Sequence, residues 1–148
     1  MSTGAAPSRP LRLLAQDAED LTILSAALQD AVVRVGDVRF EPNGRTLTLA
    51  VNRYRWEQAE GAGERVRSLL QFGSVLAVRS RNLRRDAEDA VISILSLGFA
   101  AGEAPGGMVT FTLAGGGDLQ ADIECIDAVL SDVSASWPAR AAPKHEEP

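Results

Sequence analysis

Arginine is the residue type whose spacing concentrates chemistry in this sequence. Three Arg-x-Arg pairs lie in stretches that otherwise alternate like β-strands, and they are Arg53 and Arg55, Arg65 and Arg67, and Arg79 and Arg81. Because successive side chains of a strand point to opposite faces, the two arginines of each pair share one face. A guanidinium group donates two parallel hydrogen bonds to a phosphate or a carboxylate. The six arginines are therefore the candidate residues for binding an anion or an acidic partner.

The charge around these pairs needs compensation. From Arg53 to Arg85, eight basic residues stand against three acids, a local balance of +5 in a chain of net charge −5. Like charges opposite one another across strands destabilise a sheet by a few tenths to about 1 kcal/mol per pair. The compensation can come from the chain itself, from an anionic ligand or nucleic acid, or from a protein partner. The chain's own candidates are Asp86, Glu88, Asp89, Asp122, Glu124 and Asp127.

Catalytic and metal-binding residues are sparse. His145, the single histidine, lies in a proline-rich tail beside Glu146 and Glu147, where nothing orients it. Cys125, the single cysteine, has the apolar parity of its strand and lacks a cationic activator, which favours a packing role. We therefore expect no catalytic residue, no cofactor and no metal site, and the sequence favours a protein that is not an enzyme.

Composition predicts one cytoplasmic domain. A chain of 148 residues with 45% hydrophobic residues can bury a core without disulfides. No apolar run approaches the roughly 20 residues of a membrane span, and the start has no apolar core of a secretory signal. We predict a disordered tail over 1–10, a single globular domain over 11–136 and a proline-rich tail over 137–148.

Periodicity predicts the elements of this domain. Asp17 can cap a short amphipathic helix, and a second helix is expected from about Asp127 to Val133. Between them, alternating or continuous apolar runs predict seven strands, with a bulge at Gly36-Asp37. The strands cover about 33–40, 47–56, 64–72, 75–81, 91–99, 109–113 and 119–125.

The parity of Arg53 and Arg55 leaves a choice. Both fall on the apolar face of their strand, so either the arginines point inward or the strand bulges near Asn52. An unpaired buried arginine costs several kcal/mol. We therefore expect the bulge, with Tyr54 and Trp56 turned into the core.

These elements predict an α+β domain. About seven antiparallel strands form a strongly bent sheet or partly open barrel, with one helix at each end of the chain. Seven strands followed by a helix resemble the order of a pleckstrin-homology-type barrel, an analogy of element order alone.

Several short motifs resemble a known family. They are Gln29-Asp30-Ala31, Val35-Gly36-Asp37, Asn52-Arg53-Tyr54-x-Trp56-Glu57, Glu103-Ala-Pro-Gly-Gly107 and Glu124-Cys-Ile-Asp-Ala128. They are similar to the bacterial family known as domain of unknown function 2948, and the likeness runs from about Leu11 to His145. The resemblance implies a small cytoplasmic bacterial protein. It assigns no catalytic or binding residue, because the family has no established activity.

The function hypothesis follows from the arginines. We expect a non-enzymatic binding or protein-interaction module that uses an arginine-rich sheet face. The alternative is an RNA-, nucleotide- or phosphate-binding domain using the same arginines, whose affinity would fall steeply with salt. Separate basic and acidic regions also permit self-association as a homodimer.

Overall fold

The computed structural model describes residues 10–56 and 63–138 of the chain. Within these ranges the protein has ten strands and one helix. In chain order the elements are β1 (Arg12–Ala15), α1 (Ala18–Ala27), β2 (Ala31–Glu41), β3 (Thr46–Tyr54), β4 (Glu64–Phe72), β5 (Val75–Arg81), β6 (Val91–Ala101), β7 (Gly107–Leu113), β8 (Asp118–Ile123), β9 (Ala128–Asp132) and β10 (Trp137–Pro138).

The expected helix at the N-terminal end is confirmed. Asp17 has extended backbone angles and its carboxylate accepts a hydrogen bond from the Asp20 amide, as an N-cap does. Leu21, Leu24 and Ala27 of α1 are buried and pack into the core. The helix thereby covers one end of the sheet next to β1 and β6.

The α+β prediction is wrong, because the segment expected to form a C-terminal helix is strand β9. Strand β9 lies between β1 and β4 and pairs with both. Val129 and Leu130 form too short an apolar run to separate helix from strand by periodicity, and pairing on both sides decides the outcome. The pleckstrin-homology analogy, which needed that helix, is wrong for the same reason.

The seven expected strands are confirmed as β2 to β8, and β1, β9 and β10 are additional. Strand β10 places Trp137 and Pro138, which we assigned to the tail, against Arg65 and Glu64 of β4. The domain limits of 11–136 otherwise stay a prediction.

All strand pairs between the described residues are antiparallel, and the strand order is β1-β9-β4-β3-β2-β6-β7-β8-β5, with β10 on β4. The sheet bends over its own core, so that Phe72 of β4 meets Phe111 of β7 edge-on at 6.0 Å between ring centres. The bulge expected in β2 is confirmed by a register shift between Val33 and Val38. Beyond the bulge, β2 no longer pairs with β6, and the sheet opens at this point.

Candidate functional site

Arg53 is fully buried, with no exposed surface. Strand β3 pairs residue by residue with β4 from Leu47 to Tyr54, so the bulge we expected near Asn52 is absent and the arginine keeps its inward parity. Tyr54 and Trp56 are consequently half-buried on the other side, with ring centres 4.7 Å apart. The prediction that they turn into the core is wrong.

Asp132 of β9 makes the burial of Arg53 possible. Its side chain is 1% exposed, and its carboxylate accepts hydrogen bonds from Nη2 of Arg53 at 2.9 and 3.1 Å and from Nε at 3.1 Å. The same carboxylate accepts from the Ser68 hydroxyl at 2.7 Å and from the Leu11 amide at 2.7 Å. A charge-assisted network of this kind offsets the desolvation of both charges. The argument that a buried arginine is too costly failed because its partner lay on a segment assigned to a helix.

Arg55 is also buried, at 6% exposed, and its Nη1 lies 3.9 Å from the Glu64 carboxylate. Arg53 and Arg55 thus share one face, as alternation requires, but that face is the interior. Both have a carboxylate of the chain within ion-pair distance. They contribute to ion pairs of the interior and not to an exposed arginine face.

Arg65 and Arg67 lie on the face of β4 that points away from the core, and both are partly exposed. The Arg65 guanidinium carbon lies 6.0 Å from the centre of the Tyr54 ring, at the outer range of a cation–π contact. Arg67 donates to Asn52 at 3.3 Å and to the Asp37 carboxylate at 3.4 Å. This pair is therefore engaged by side chains of the neighbouring strands.

Arg79 and Arg81 lie on β5 and pair across to β8. Arg79 donates to both oxygens of Asp122 at 2.9 and 3.0 Å, and Arg81 donates to Asp118 at 2.6 and 3.1 Å. The hydrogen bonds from Arg79, rather than its charge alone, lower the pKa of Asp122 below its ordinary value of 3.8. The same contacts raise the pKa of both arginines.

The six arginines therefore do not lie on one common surface. One pair is internal, one lies on β4 and one lies on β5, and β4 and β5 are not paired with each other. Of the acidic residues that we expected to compensate the six, Asp122 does so; the other partners are Asp37, Glu64, Asp118 and Asp132. Much of the positive charge counted in the sequence is neutralised within the fold.

A cleft of about 350 Å³ opens where the sheet separates. One wall is β2 beyond its bulge, and the other is β5, which ends the strand order and pairs with β8 alone among the described strands. The connection 82–90 crosses between them and is attached to β2 by the amides of Val35 and Gly36, which donate to the carbonyls of Ala90 and Glu88 at 2.8 and 2.9 Å. The cleft is thus bounded on three sides by β2, β5 and the connection 82–90.

Three arginines line this cleft: Arg39 from β2, Arg79 from β5 and Arg85 from the connection. Among the described residues, Arg39 and Arg85 have no ion pair with a carboxylate, whereas Arg79 is held by Asp122. The apolar wall of the cleft includes Val78 and Leu83, which pack on the core. A site with two uncompensated guanidinium groups, a third held in place and an apolar wall can receive an anion that carries an apolar body.

Sequence reasoning found Arg79 but missed Arg39 and Arg85. Arg85 was counted in the basic stretch, yet it lies in a connection that has no strand parity. Arg39 follows the bulge at Gly36-Asp37, and a bulge is the local sign that a strand is leaving its partner and redirecting side chains. Combining the bulge with the next arginine would have indicated the site.

Other chemistry is weakly represented in the part of the chain that the structure describes. No group of three or more His, Cys, Asp or Glu side chains there could hold a metal ion. Cys125 is partly buried, with its sulfur 3.6 Å from the Ser74 hydroxyl oxygen. His145 lies outside the described residues. The helix that is described is too short and too polar to cross a membrane.

The fold and the cleft define an all-antiparallel β-protein with an arginine-lined cavity between two separated strands. The chain belongs to the family described as protein of unknown function (DUF2948), whose model matches residues 11–145, and the resemblance noted in the sequence is confirmed. No curated protein and no solved structure matches the chain.

Proposed function

We propose that this protein is a binding module whose cleft between β2 and β5 takes an anionic ligand. The observation that carries the proposal is the pair of cleft arginines, Arg39 and Arg85, which have no carboxylate partner among the described residues. Most other arginines near strands are neutralised by the chain itself. Arg12 and Arg65 also have no ion pair with a described carboxylate, but they do not line the cleft, whose lining brings two such arginines together.

The electrostatics of the cleft favour an anion. Guanidinium groups that share a small cavity repel one another, and an oxyanion between them replaces repulsion by charge-assisted hydrogen bonds. Arg79 adds a donor whose position is set by Asp122. The net charge of −5 does not oppose this, because charges beyond a Debye length of roughly 8 Å are screened at physiological salt.

This proposal narrows the sequence-based hypothesis. A binding role through arginine is retained, but Arg79 is the single member of the six candidates that lines the cleft. The ligand-binding alternative gains support relative to a module that uses one broad arginine-rich face, because the six arginines lie in three separate places. A protein partner, a homodimer and a cytoplasmic location stay predictions from charge and composition.

The test is a thermal-shift titration of the full chain and the Arg39→Ser/Arg85→Ser variant. The probes are inorganic phosphate, pyrophosphate, nucleoside monophosphates and a short RNA, each at low and at physiological salt. A ligand at one hundred times its Kd stabilises the folded state by about 2.7 kcal/mol, which is readily measured. We expect saturable stabilisation of the wild type and its loss in the variant.

The matched control is Arg12→Ser/Arg84→Ser, which removes the same charge from exposed positions that do not line the cleft. This control should keep the ligand response of the wild type. Stabilisation that falls equally in both variants would show a general charge effect and would overturn the proposal. An absence of stabilisation by every probe would do the same.

A further inference from the structure

The cleft carries a negative group as well as its arginines. Glu88 of the connection 82–90 lines the same cavity, yet its carboxylate forms no ion pair, within 4.0 Å, with a described arginine. The lining therefore contains an acceptor that does not neutralise the cleft arginines, so the cleft offers both an anion-binding part and an acceptor part. A ligand that fits both needs a negative group at one end and hydrogen-bond donors at the other.

The position of Glu88 is set by backbone contacts. Its carbonyl accepts the Gly36 amide of β2 at 2.9 Å. A Cβ at Gly36 would lie 3.1 Å from both the Cβ and the carbonyl oxygen of Glu88, so glycine is what permits this close approach. The backbone and Cβ of Glu88 are therefore held at a fixed position on the wall of the cleft.

The lining of the cleft also includes apolar side chains, one of them an aromatic ring. Phe40 of β2 lines the cleft together with Val78 and Leu83, and all three are partly buried against the core. Aromatic and apolar surfaces of this kind hold a flat ring by stacking. A volume of about 350 Å³ is at the small end of ligand pockets and much larger than an inorganic phosphate requires.

These three parts match a nucleotide, and the acceptor selects its base. A carboxylate offers two acceptor oxygens and no donor. The Watson–Crick edge of guanine presents two neighbouring donors, N1–H and the 2-amino group, whereas that of adenine presents an acceptor, N1, beside its amino group. Resting on the proposed anion-binding function, we propose that the cleft binds a guanine mononucleotide, with the phosphate at the arginines and the guanine edge on Glu88.

The experiment is isothermal titration of the full chain with GMP, IMP, AMP and inorganic phosphate. IMP lacks the 2-amino group and so tests the second hydrogen bond. A bidentate contact to a base edge discriminates by roughly tenfold or more, so we expect GMP to bind at least about tenfold more tightly than AMP, with IMP between them. Inorganic phosphate should bind more weakly than GMP.

Two charge-matched variants make the test specific. Glu88→Gln replaces one acceptor oxygen by a donor and should abolish the preference for GMP over AMP. Asp89→Asn makes the same charge change at the neighbouring exposed residue, which pairs with Arg34 outside the cleft, and should keep the preference. The melting temperature of each unliganded variant shows whether the fold is retained.

The outcomes separate the two proposals. Equal affinity for GMP and AMP, with dependence on Arg39 and Arg85, would overturn guanine recognition and leave anion binding standing. A guanine preference that persists in Glu88→Gln would also overturn it. No binding of any probe would overturn both proposals.

Discussion

Replacing Asp132 by asparagine should destabilise the protein more than any other single carboxylate change in an ion pair described above. The substitution keeps the size of the side chain but removes the charge that faces Arg53. Neither side chain has appreciable exposure, at 0% for Arg53 and 1% for Asp132, so water cannot replace the lost partner. The arginine would remain as a buried charge held by neutral groups.

The magnitude follows from that burial. Breaking a buried ion pair by removing one partner costs about 3–5 kcal/mol, because the other charge stays uncompensated. Asp132 also accepts from the Leu11 amide, so the change weakens the attachment of the chain just before β1. Against a typical total stability of about 5–15 kcal/mol, the variant would lose a large share of the folding free energy.

The assay is urea unfolding followed by tryptophan fluorescence. With a slope of roughly 2 kcal/mol per molar urea, the expected loss lowers the midpoint by about 2 M. The control is Asp122→Asn, which removes the carboxylate of the exposed Arg79 pair and should leave the midpoint nearly unchanged.

A midpoint shift below about 0.5 M in Asp132→Asn would refute this reasoning, because it would mean that the buried arginine is solvated or re-paired at little cost. The double variant Arg53→Met/Asp132→Leu adds an independent check. Since it removes both charges, it should be more stable than either single variant. Additive losses would contradict the assignment of Arg53 and Asp132 as mutual partners.

Two further predictions concern β8 and its turn. Arg79→Gln should raise the pKa of Asp122 back towards 3.8, as measured by NMR titration of its carboxyl carbon, and an unchanged pKa would contradict the contact. Because this folded-state pKa is depressed, the contact stabilises the fold at pH values above the ordinary pKa and is lost as the pH falls through the lowered one. Gly117→Ala should cost about 1–3 kcal/mol in urea unfolding, since a Cβ there would lie 2.8 Å from the carbonyl oxygen of Asn82. A stability equal to that of the wild type would show that the start of the connection 82–90 moves aside freely.

Local patterns in the sequence predicted the elements that local physics decides. The Asp17 cap, the bulge in β2 and the seven central strands depend on residues within a few positions of one another, and all are present. Strand β9 could not be recognised in this way, because its conformation is decided by β1 and β4, which lie far away in sequence. The same error hid the partner of Arg53.

The candidate site was predicted only in part for a related reason. Alternation correctly paired the arginines within each strand, but it does not say which strands become neighbours. Strand β5 follows β4 after a two-residue turn and nevertheless pairs with β8, which carries Asp122 and Asp118 to its arginines. The cleft depends on where β2 and β5 separate, and that is a property of the whole sheet.

The position of β9 between β1 and β4 has a consequence for biosynthesis. β1 is made first, but its one strand partner among the described residues is β9, more than a hundred residues later. During translation, the backbone groups of β1 and of the outer edge of β4 therefore stay unpaired until β9 is made. Unpaired strand edges can form non-native pairs with other strands. Native pairing of this half of the sheet becomes possible only after residues 128–132 have left the ribosome. We therefore expect this half to fold late and slowly, as the large sequence separation of its contacts dictates.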